Sequence, residues 1–132
     1  MTLIDANVLL YAYNANAPQQ RMAAKWLSRL LDSGEIIALP WVTIWAFIRI
    51  STNPKAIHAP MQRARELLRK FLAERAAERI PDDLAALDSH PQKTQQVTDF
   101  YLAALAEKHG MKLATMDERI NHPAVVLVGQ LE

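Results

Sequence analysis

Apolar residues follow two alternating patterns along this chain. Short apolar runs predict buried strands, and longer segments with apolar positions three or four residues apart predict amphipathic helices. Strands are expected at 2–5, 35–39, 112–116 and 125–128, and helices at 7–13, 18–33, 41–51, 60–79 and 98–109. Residues 80–96 are the least periodic segment. This order predicts an α/β fold with a mainly parallel sheet that helices cover on both faces.

Residues at the ends of these segments support the prediction. Residues 7–13 suit either a strand or a helix by periodicity alone, but Asn7 is a favourable helix cap after a strand. Thr98 is the corresponding cap for the helix 98–109. Gly34 and Gly110 follow predicted helices, where a residue in the left-handed conformation commonly ends the helix.

Composition narrows the class of protein. The 132 residues suffice for one domain with a hydrophobic core, and the net charge of +1 does not indicate a strongly basic nucleic-acid-binding protein. The absence of cysteine excludes a disulfide framework and a thiolate zinc site. No apolar run approaches the roughly 18 residues of a membrane span, and the N-terminus lacks the basic start of a signal peptide. We therefore expect a cytoplasmic protein without a membrane partner.

Three aspartates are placed where strands should meet helices or loops. Asp5 ends the first predicted strand, Asp117 ends the strand 112–116, and Asp99 lies at the start of a helix. In a parallel sheet these positions meet at one edge. Carboxylates that converge repel each other, and a hard divalent cation relieves that repulsion. The three aspartates therefore predict a magnesium or manganese site and phosphodiester chemistry, although each one alone has an ordinary explanation as a cap or turn residue.

Other polar residues could assist this site. Asn7 and Thr115 flank the aspartates and could hold a metal-bound water, or they could be a cap and an ordinary strand residue. Arg49 lies within an apolar helix and could pair with an acid or reach substrate. The arginines of 60–79 favour a solvated face over a surface that follows phosphates. Tryptophans are expected in the core or a dimer interface, and they are Trp26, Trp41 and Trp45.

Three segments together resemble the PIN domain family. They are Asp5–Tyr11, Val97–Ala106 and Leu113–Asp117, in the family's order and at its separations. The resemblance is closest to the VapC type of toxin from bacterial toxin–antitoxin pairs, and it covers nearly the whole chain as one domain, 1–132. It implies a three-layer α/β/α fold and a Mg²⁺- or Mn²⁺-dependent endoribonuclease. It also implies a homodimer and inhibition by a small VapB-like antitoxin.

By this resemblance Asp5, Asp99 and Asp117 take the metal-binding and catalytic positions, and Thr115 matches a small hydroxyl residue near the site. The family usually carries a glutamate in the helix after the second strand, where this chain has Ala46. That change implies weaker metal binding, or a substitute acid elsewhere. The candidate substitutes are Asp82, Asp83 and Glu118.

Two other functions compete with the ribonuclease hypothesis. Ala46 motivates a catalytically degenerate PIN module that binds RNA or an antitoxin without cleavage. A phosphotransfer domain, such as a receiver or a dehalogenase-like hydrolase, also places acids at the ends of parallel strands. The dehalogenase-like pattern needs an acid at Asn7, and the receiver pattern needs a lysine where Asp117 stands.

Overall fold

The computed structural model describes residues 1–74 and 77–129, apart from the side chain of Gln95. The strands are β1 Thr2–Ile4, β2 Ile37–Leu39, β3 Ala77–Arg79, β4 Lys112–Thr115 and β5 Val125–Leu127. The helices are α1 Ala6–Ala12, α2 Gln20–Asp32, α3 Trp41–Ser51, α4 Met61–Ala73 and α5 Val97–Lys108. Two short 3₁₀ turns, Ala86–Asp88 and Thr94–Gln96, lie in the segment that has no periodic pattern.

The strands form one parallel sheet in the order β3-β2-β1-β4-β5. The central strand β1 pairs with β2 on one side and with β4 on the other, so that Leu3 is the partner of both Ala38 and Leu113. The buried β1 and β2 are short apolar runs because neither face nor edge of these strands meets water. The expected α/β fold is confirmed.

Alternating side chains of the strands divide the core into two parts. Ile4 and Ala114 point to the face covered by α1, α2, α3 and α4, whereas Leu3 and Leu113 point to the face covered by α5. Successive strand side chains point to opposite faces, so each strand contributes to both parts. The result is the predicted three-layer α/β/α arrangement.

The predicted helix 60–79 is wrong at its C-terminal end. Helix α4 ends at Ala73, and residues 77–79 form β3 beside β2. The sequence Ala-Glu-Arg has little strand propensity, and pairing with β2 is what holds it extended. Arg79 is therefore not on the arginine-rich helix, and Arg75 lies outside the described residues.

Two predicted helix caps are also wrong. Asp5 is the N-cap of α1, because its carboxylate accepts a hydrogen bond from the backbone N–H of Asn7, which is itself helical. Helix α5 begins at Val97, so Thr98 lies inside its first turn. The helix terminators are confirmed, since Gly34 and Gly110 have φ of 83° and 68°.

A distant aspartate caps the N-terminus of α3. The backbone N–H groups of Trp41 and Val42 donate to the Asp82 carboxylate at 2.8 and 3.1 Å. Arg79 lies 3.9 Å from the same carboxylate and 3.8 Å from the centre of the Trp41 ring. The residue that precedes the helix, Pro40, has no side-chain acceptor, so this cap has to come from another part of the chain.

We predict that Asp82→Ala lowers the free energy of unfolding by about 1 kcal/mol, because two helix N–H groups and Arg79 lose their carboxylate partner. The matched control is Asp88→Ala, which removes an exposed aspartate from the same segment. Urea unfolding of the two variants measures the difference. Equal midpoints would show that the cap does not contribute to stability.

Candidate functional site

The candidate site lies at the carboxyl ends of β1 and β4. The chain adds β2 and β3 on one side of β1 and adds β4 and β5 on the other, so the strand order reverses between β1 and β4. Sheets of this kind bind ligands at that point, outside the carboxyl ends of the strands. Asp5 follows β1 directly, and its N–H donates to the carbonyl of Ala114 in β4 at 2.9 Å.

The hydroxyl of Thr115 connects three parts of the site. It donates to the Asp5 carboxylate at 3.0 Å and accepts from the Asn7 amide at 3.2 Å and from the Asp117 N–H at 3.1 Å. A hydroxyl has one donor and two acceptor positions, so its capacity is full. Thr115 is completely buried, and it therefore orients Asp5 and the start of the Asp117 loop directly.

Asn7 closes the same network from the first turn of α1. Its side-chain oxygen accepts the N–H of Met116 at 3.2 Å, while its amide donates to Thr115. The side chain therefore joins α1 to the end of β4. A role in holding a metal-bound water stays a prediction for Asn7 and for Thr115.

The three aspartates interact electrostatically. Burial raises the pKa of Asp5, and the charge of Asp117 raises it further, while hydrogen bonds from Thr115 and Asn7 oppose the shift. Burial, followed by the charges of Asp5 and Asp117, raises the pKa of Asp99 to about 6. Within the described residues the Asp99 carboxylate accepts no hydrogen bond. The fold therefore brings the predicted acids together, and the Asp99 carboxylate is the one of the three that accepts no hydrogen bond from the described residues.

Asp117 is balanced by a neighbouring arginine. The Arg119 guanidinium donates from Nε and from an Nη atom to the two carboxylate oxygens, each at 3.0 Å. The Arg119 N–H donates to the same carboxylate at 2.9 Å, which forms the ordinary turn that the sequence allowed. These contacts lower the pKa of Asp117. The Asp117 oxygens consequently face Arg119.

A divalent cation fits the donor set but needs some rearrangement of it. Carboxylate oxygens are the ligands that Mg²⁺ and Mn²⁺ prefer, and the mutual repulsion at Asp99 is what a cation would relieve. In the described part of the chain, however, no three acidic or histidine side chains stand close enough to hold an ion as they are. One of these carboxylates, Asp117, is already paired with Arg119.

Other predicted residues lie away from the cluster. Arg49 is exposed near the end of α3, and no described contact connects it to the aspartates. Asp82 caps α3, and Asp83 pairs with Lys108 and His109. Of the three acids that could substitute for the glutamate absent at Ala46, Glu118 alone borders the site.

Two clefts meet at Asp117 and Arg119. One of about 200 Å³ is lined by Lys93, Gln96, Asp99, Asp117, Arg119 and Ile120. The other, of about 390 Å³, is lined by Asn7, Tyr11, Met116, Asp117, Glu118 and Arg119. No role was predicted for Arg119, although its position two residues after Asp117 is a signal. Lys93 and Gln96 lie in the least periodic segment, 80–96, where no pattern pointed to them.

The tryptophans divide between the core and the surface. Trp26 is buried, as expected, whereas Trp41 and Trp45 are 48% and 65% exposed on α3. Their assignment to a dimer interface stays a prediction. None of the described helices is both long and apolar enough to cross a membrane.

Comparison with known proteins identifies similar chains. A sequence model of the PIN domain family matches residues 2–126. Ribonuclease VapC37 of Mycobacterium tuberculosis is 29% identical over 126 residues, which are 89% of this chain and 88% of that protein. Ribonuclease VapC31 of the same species is 36% identical over 64 residues, which are 48% of this chain and 45% of that protein.

A solved structure gives the same view of the fold. The crystal structure of VapBC2 from Rickettsia felis, bound to a DNA fragment from their promoter, superposes with a TM-score of 0.61 at 17% sequence identity. The match covers 96% of each chain, and at this identity it supports the fold alone. The sequence relatives confirm the resemblance to VapC proteins. With the family match over residues 2–126, these findings show that the chain belongs to the PIN domain family.

Proposed function

We propose that this protein is a metal-dependent endoribonuclease and the toxin of a toxin–antitoxin pair. Its family membership and the ribonuclease names of its relatives support the activity. The observation that carries the proposal is the meeting of Asp5, Asp99 and Asp117, which come from three elements. The charge of Asp117 raises the pKa of Asp5, and the charges of Asp5 and Asp117 raise the pKa of Asp99. A protein gains nothing in stability from such an arrangement, so we attribute it to cation binding.

Asp5, Asp99 and Asp117 would hold Mg²⁺ or Mn²⁺. The bound ion would supply Lewis-acid polarisation of the scissile phosphodiester and a more acidic water. The protein's own groups have distinct tasks around it. Thr115 and Asn7 keep the Asp5 carboxylate in one orientation, and Asp99 remains free of competing hydrogen bonds. Lys93, on the rim of the smaller cleft, offers a positive charge to an RNA phosphate.

The proposed partners are an RNA substrate, a VapB-like antitoxin and a second copy of the chain. We propose the antitoxin because the sequence relatives are VapC proteins and the solved structure with the same fold is a VapBC assembly. The second copy is proposed for the exposed Trp41 and Trp45 surface, because large exposed apolar side chains commonly mark an interface. We also propose that the protein acts in the cytoplasm, where it would meet RNA.

A degenerate PIN module is the second candidate, and Ala46 is the observation that favours it. In α3 the Thr43 hydroxyl donates to the carbonyl of Ile4 at 3.0 Å, directly before Asp5. Ala46 follows one helical turn later and is therefore on the same side of α3. A glutamate there would add a carboxylate near the cluster. The phosphotransfer alternative loses its support, because the chain belongs to another family.

Cleavage of a mixed RNA pool tests the leading proposal. We expect cleavage with Mg²⁺ or Mn²⁺ and none with EDTA. Asp99→Asn should lower the cleavage rate by more than the roughly 10- to 100-fold that removal of a supporting residue causes. Asp99 suits this test better than Asp5, because Asp5 also caps α1. Asp88→Asn is the matched control.

The outcomes separate the two candidates. Unchanged cleavage by a folded Asp99→Asn would remove that carboxylate from the mechanism. Absence of cleavage by the folded wild-type protein under every metal condition, after antitoxin has been removed, would favour the degenerate binding module.

The raised pKa of Asp99 predicts a pH dependence of stability. Its folded pKa of about 6 exceeds the ordinary value of 3.8, so the folded state binds the proton more tightly. Without metal, the free energy of unfolding should therefore decrease as pH rises from about 4 through about 6. Urea unfolding in EDTA at about pH 5 and about pH 7 should show this decrease in wild type and a smaller one in Asp99→Asn. Parallel changes in both proteins would contradict the assignment.

Restoring a carboxylate at position 46 should strengthen metal binding. We expect Ala46→Glu to tighten Mn²⁺ binding on the order of tenfold, since ligand charge sets the affinity of oxygen sites. Ala46→Gln has nearly the same size without the charge and serves as the control. Isothermal titration calorimetry measures both. Equal affinities would show that position 46 does not face the cluster.

A further inference from the structure

Arg119 occupies the carboxylate that the metal would need. Its guanidinium forms a bidentate ion pair with Asp117, and the Arg119 backbone N–H donates to the same group. A planar guanidinium donates two parallel hydrogen bonds to a carboxylate, one to each oxygen. A cation that approached these two oxygens would be repelled by the guanidinium and would find both oxygens already hydrogen-bonded.

The ion pair between Arg119 and Asp117 can be displaced, because the arginine is exposed to solvent. The Arg119 side chain is 77% exposed, whereas that of Asp117 is 16% exposed. Among the described residues Asp117 is the one hydrogen-bonding partner of this guanidinium. Exposed ion pairs contribute little to stability, so release of Arg119 would leave the fold intact. The backbone of Asp117 would stay in position, because its N–H remains bonded to the hydroxyl of Thr115.

Arg119 also stands between the two clefts that meet at the site. The smaller cleft carries Lys93 and Gln96, and the larger one carries Tyr11 and Glu118. A long side chain rooted at this boundary can reach into either cleft once it leaves Asp117. A guanidinium binds a phosphodiester through the same paired donors that it now directs at a carboxylate.

We propose that Arg119 competes with the divalent cation for Asp117 and that, once displaced, it binds a phosphate of the RNA substrate. This inference rests on the proposed ribonuclease function. The free protein then holds its own cation at the acidic site, and metal binding releases a positive charge for RNA. Because such coupling is reciprocal, RNA that engages Arg119 also favours metal at Asp117.

The direct test is Mn²⁺ affinity, measured by electron paramagnetic resonance without RNA. We expect Arg119→Gln to bind Mn²⁺ more tightly, by up to about fivefold, which corresponds to the strength of an exposed ion pair. Arg119→Lys keeps the charge and should stay near wild type. Arg65→Gln removes an exposed arginine from α4 and is the matched control.

Cleavage of the RNA pool gives the second readout. Arg119→Gln should raise KM at saturating Mn²⁺ with a smaller change in kcat, because a phosphate contact is lost while the metal site is kept. Unchanged or weaker Mn²⁺ binding by Arg119→Gln would overturn the competition. An unchanged KM would overturn the phosphate contact.

Failure of the inference is distinguishable from failure of the proposed function. If wild type binds Mn²⁺ and Asp99→Asn does not, the metal site stands, and the Arg119 variants alone decide the inference. If folded wild-type protein binds no Mn²⁺, the proposed function fails and the competition fails with it.

Discussion

The parallel pairing of β1 with β4 is the constraint on which the site depends. It aligns Leu3 with Leu113 in the middle of the sheet and places the residues that follow both strands at one edge. The hydroxyl of Thr115 then reaches the carboxylate of Asp5 across 110 positions of sequence. Both strands are buried and short, so their register leaves little freedom to the residues beyond them. The positions of Asp5 and Asp117 at this end of the sheet therefore follow from the strand register.

Charge in this cluster is compensated unevenly. Asp5 has hydrogen bonds from Thr115 and Asn7, Asp117 has Arg119, and Asp99 has no hydrogen-bonding partner among the described residues. The same burial that helps to orient the site therefore raises the pKa of Asp99 most visibly. An acid left in this condition is unfavourable for stability and suited to binding a cation. The site thus combines Asp5, held by hydrogen bonds, Asp117, paired with Arg119, and Asp99, whose pKa only the more distant charge of Arg119 lowers.

Helix α3 shows how distant parts of the chain support the site. Asp82 caps its first N–H groups, and Thr43 fixes it to the carbonyl of Ile4. The helix therefore begins beside the end of β1. This placement puts Ala46, one turn after Thr43, on the side of α3 that faces the end of β1. Asp82 was a candidate substitute for the glutamate absent at Ala46, yet its carboxylate lies at the N-terminus of α3. An acid's role depends on which backbone groups lie near it, and sequence does not contain that information.

The sequence by itself determined the α/β class, most element positions and the convergence of Asp5, Asp99 and Asp117, because hydrophobic periodicity and strand-end placement are local properties. It also contained the segments that resemble the PIN domain family. The cap that Asp5 provides to α1 was also among the explanations that the sequence allowed. Tertiary structure alone decided that residues 77–79 form a strand, that Asp82 caps α3 and that Thr115 bonds to Asp5. Each of these depends on a partner that folding brings close. Strand β2 holds a weak strand former extended, and buried polar groups find their hydrogen-bonding partners in distant parts of the chain.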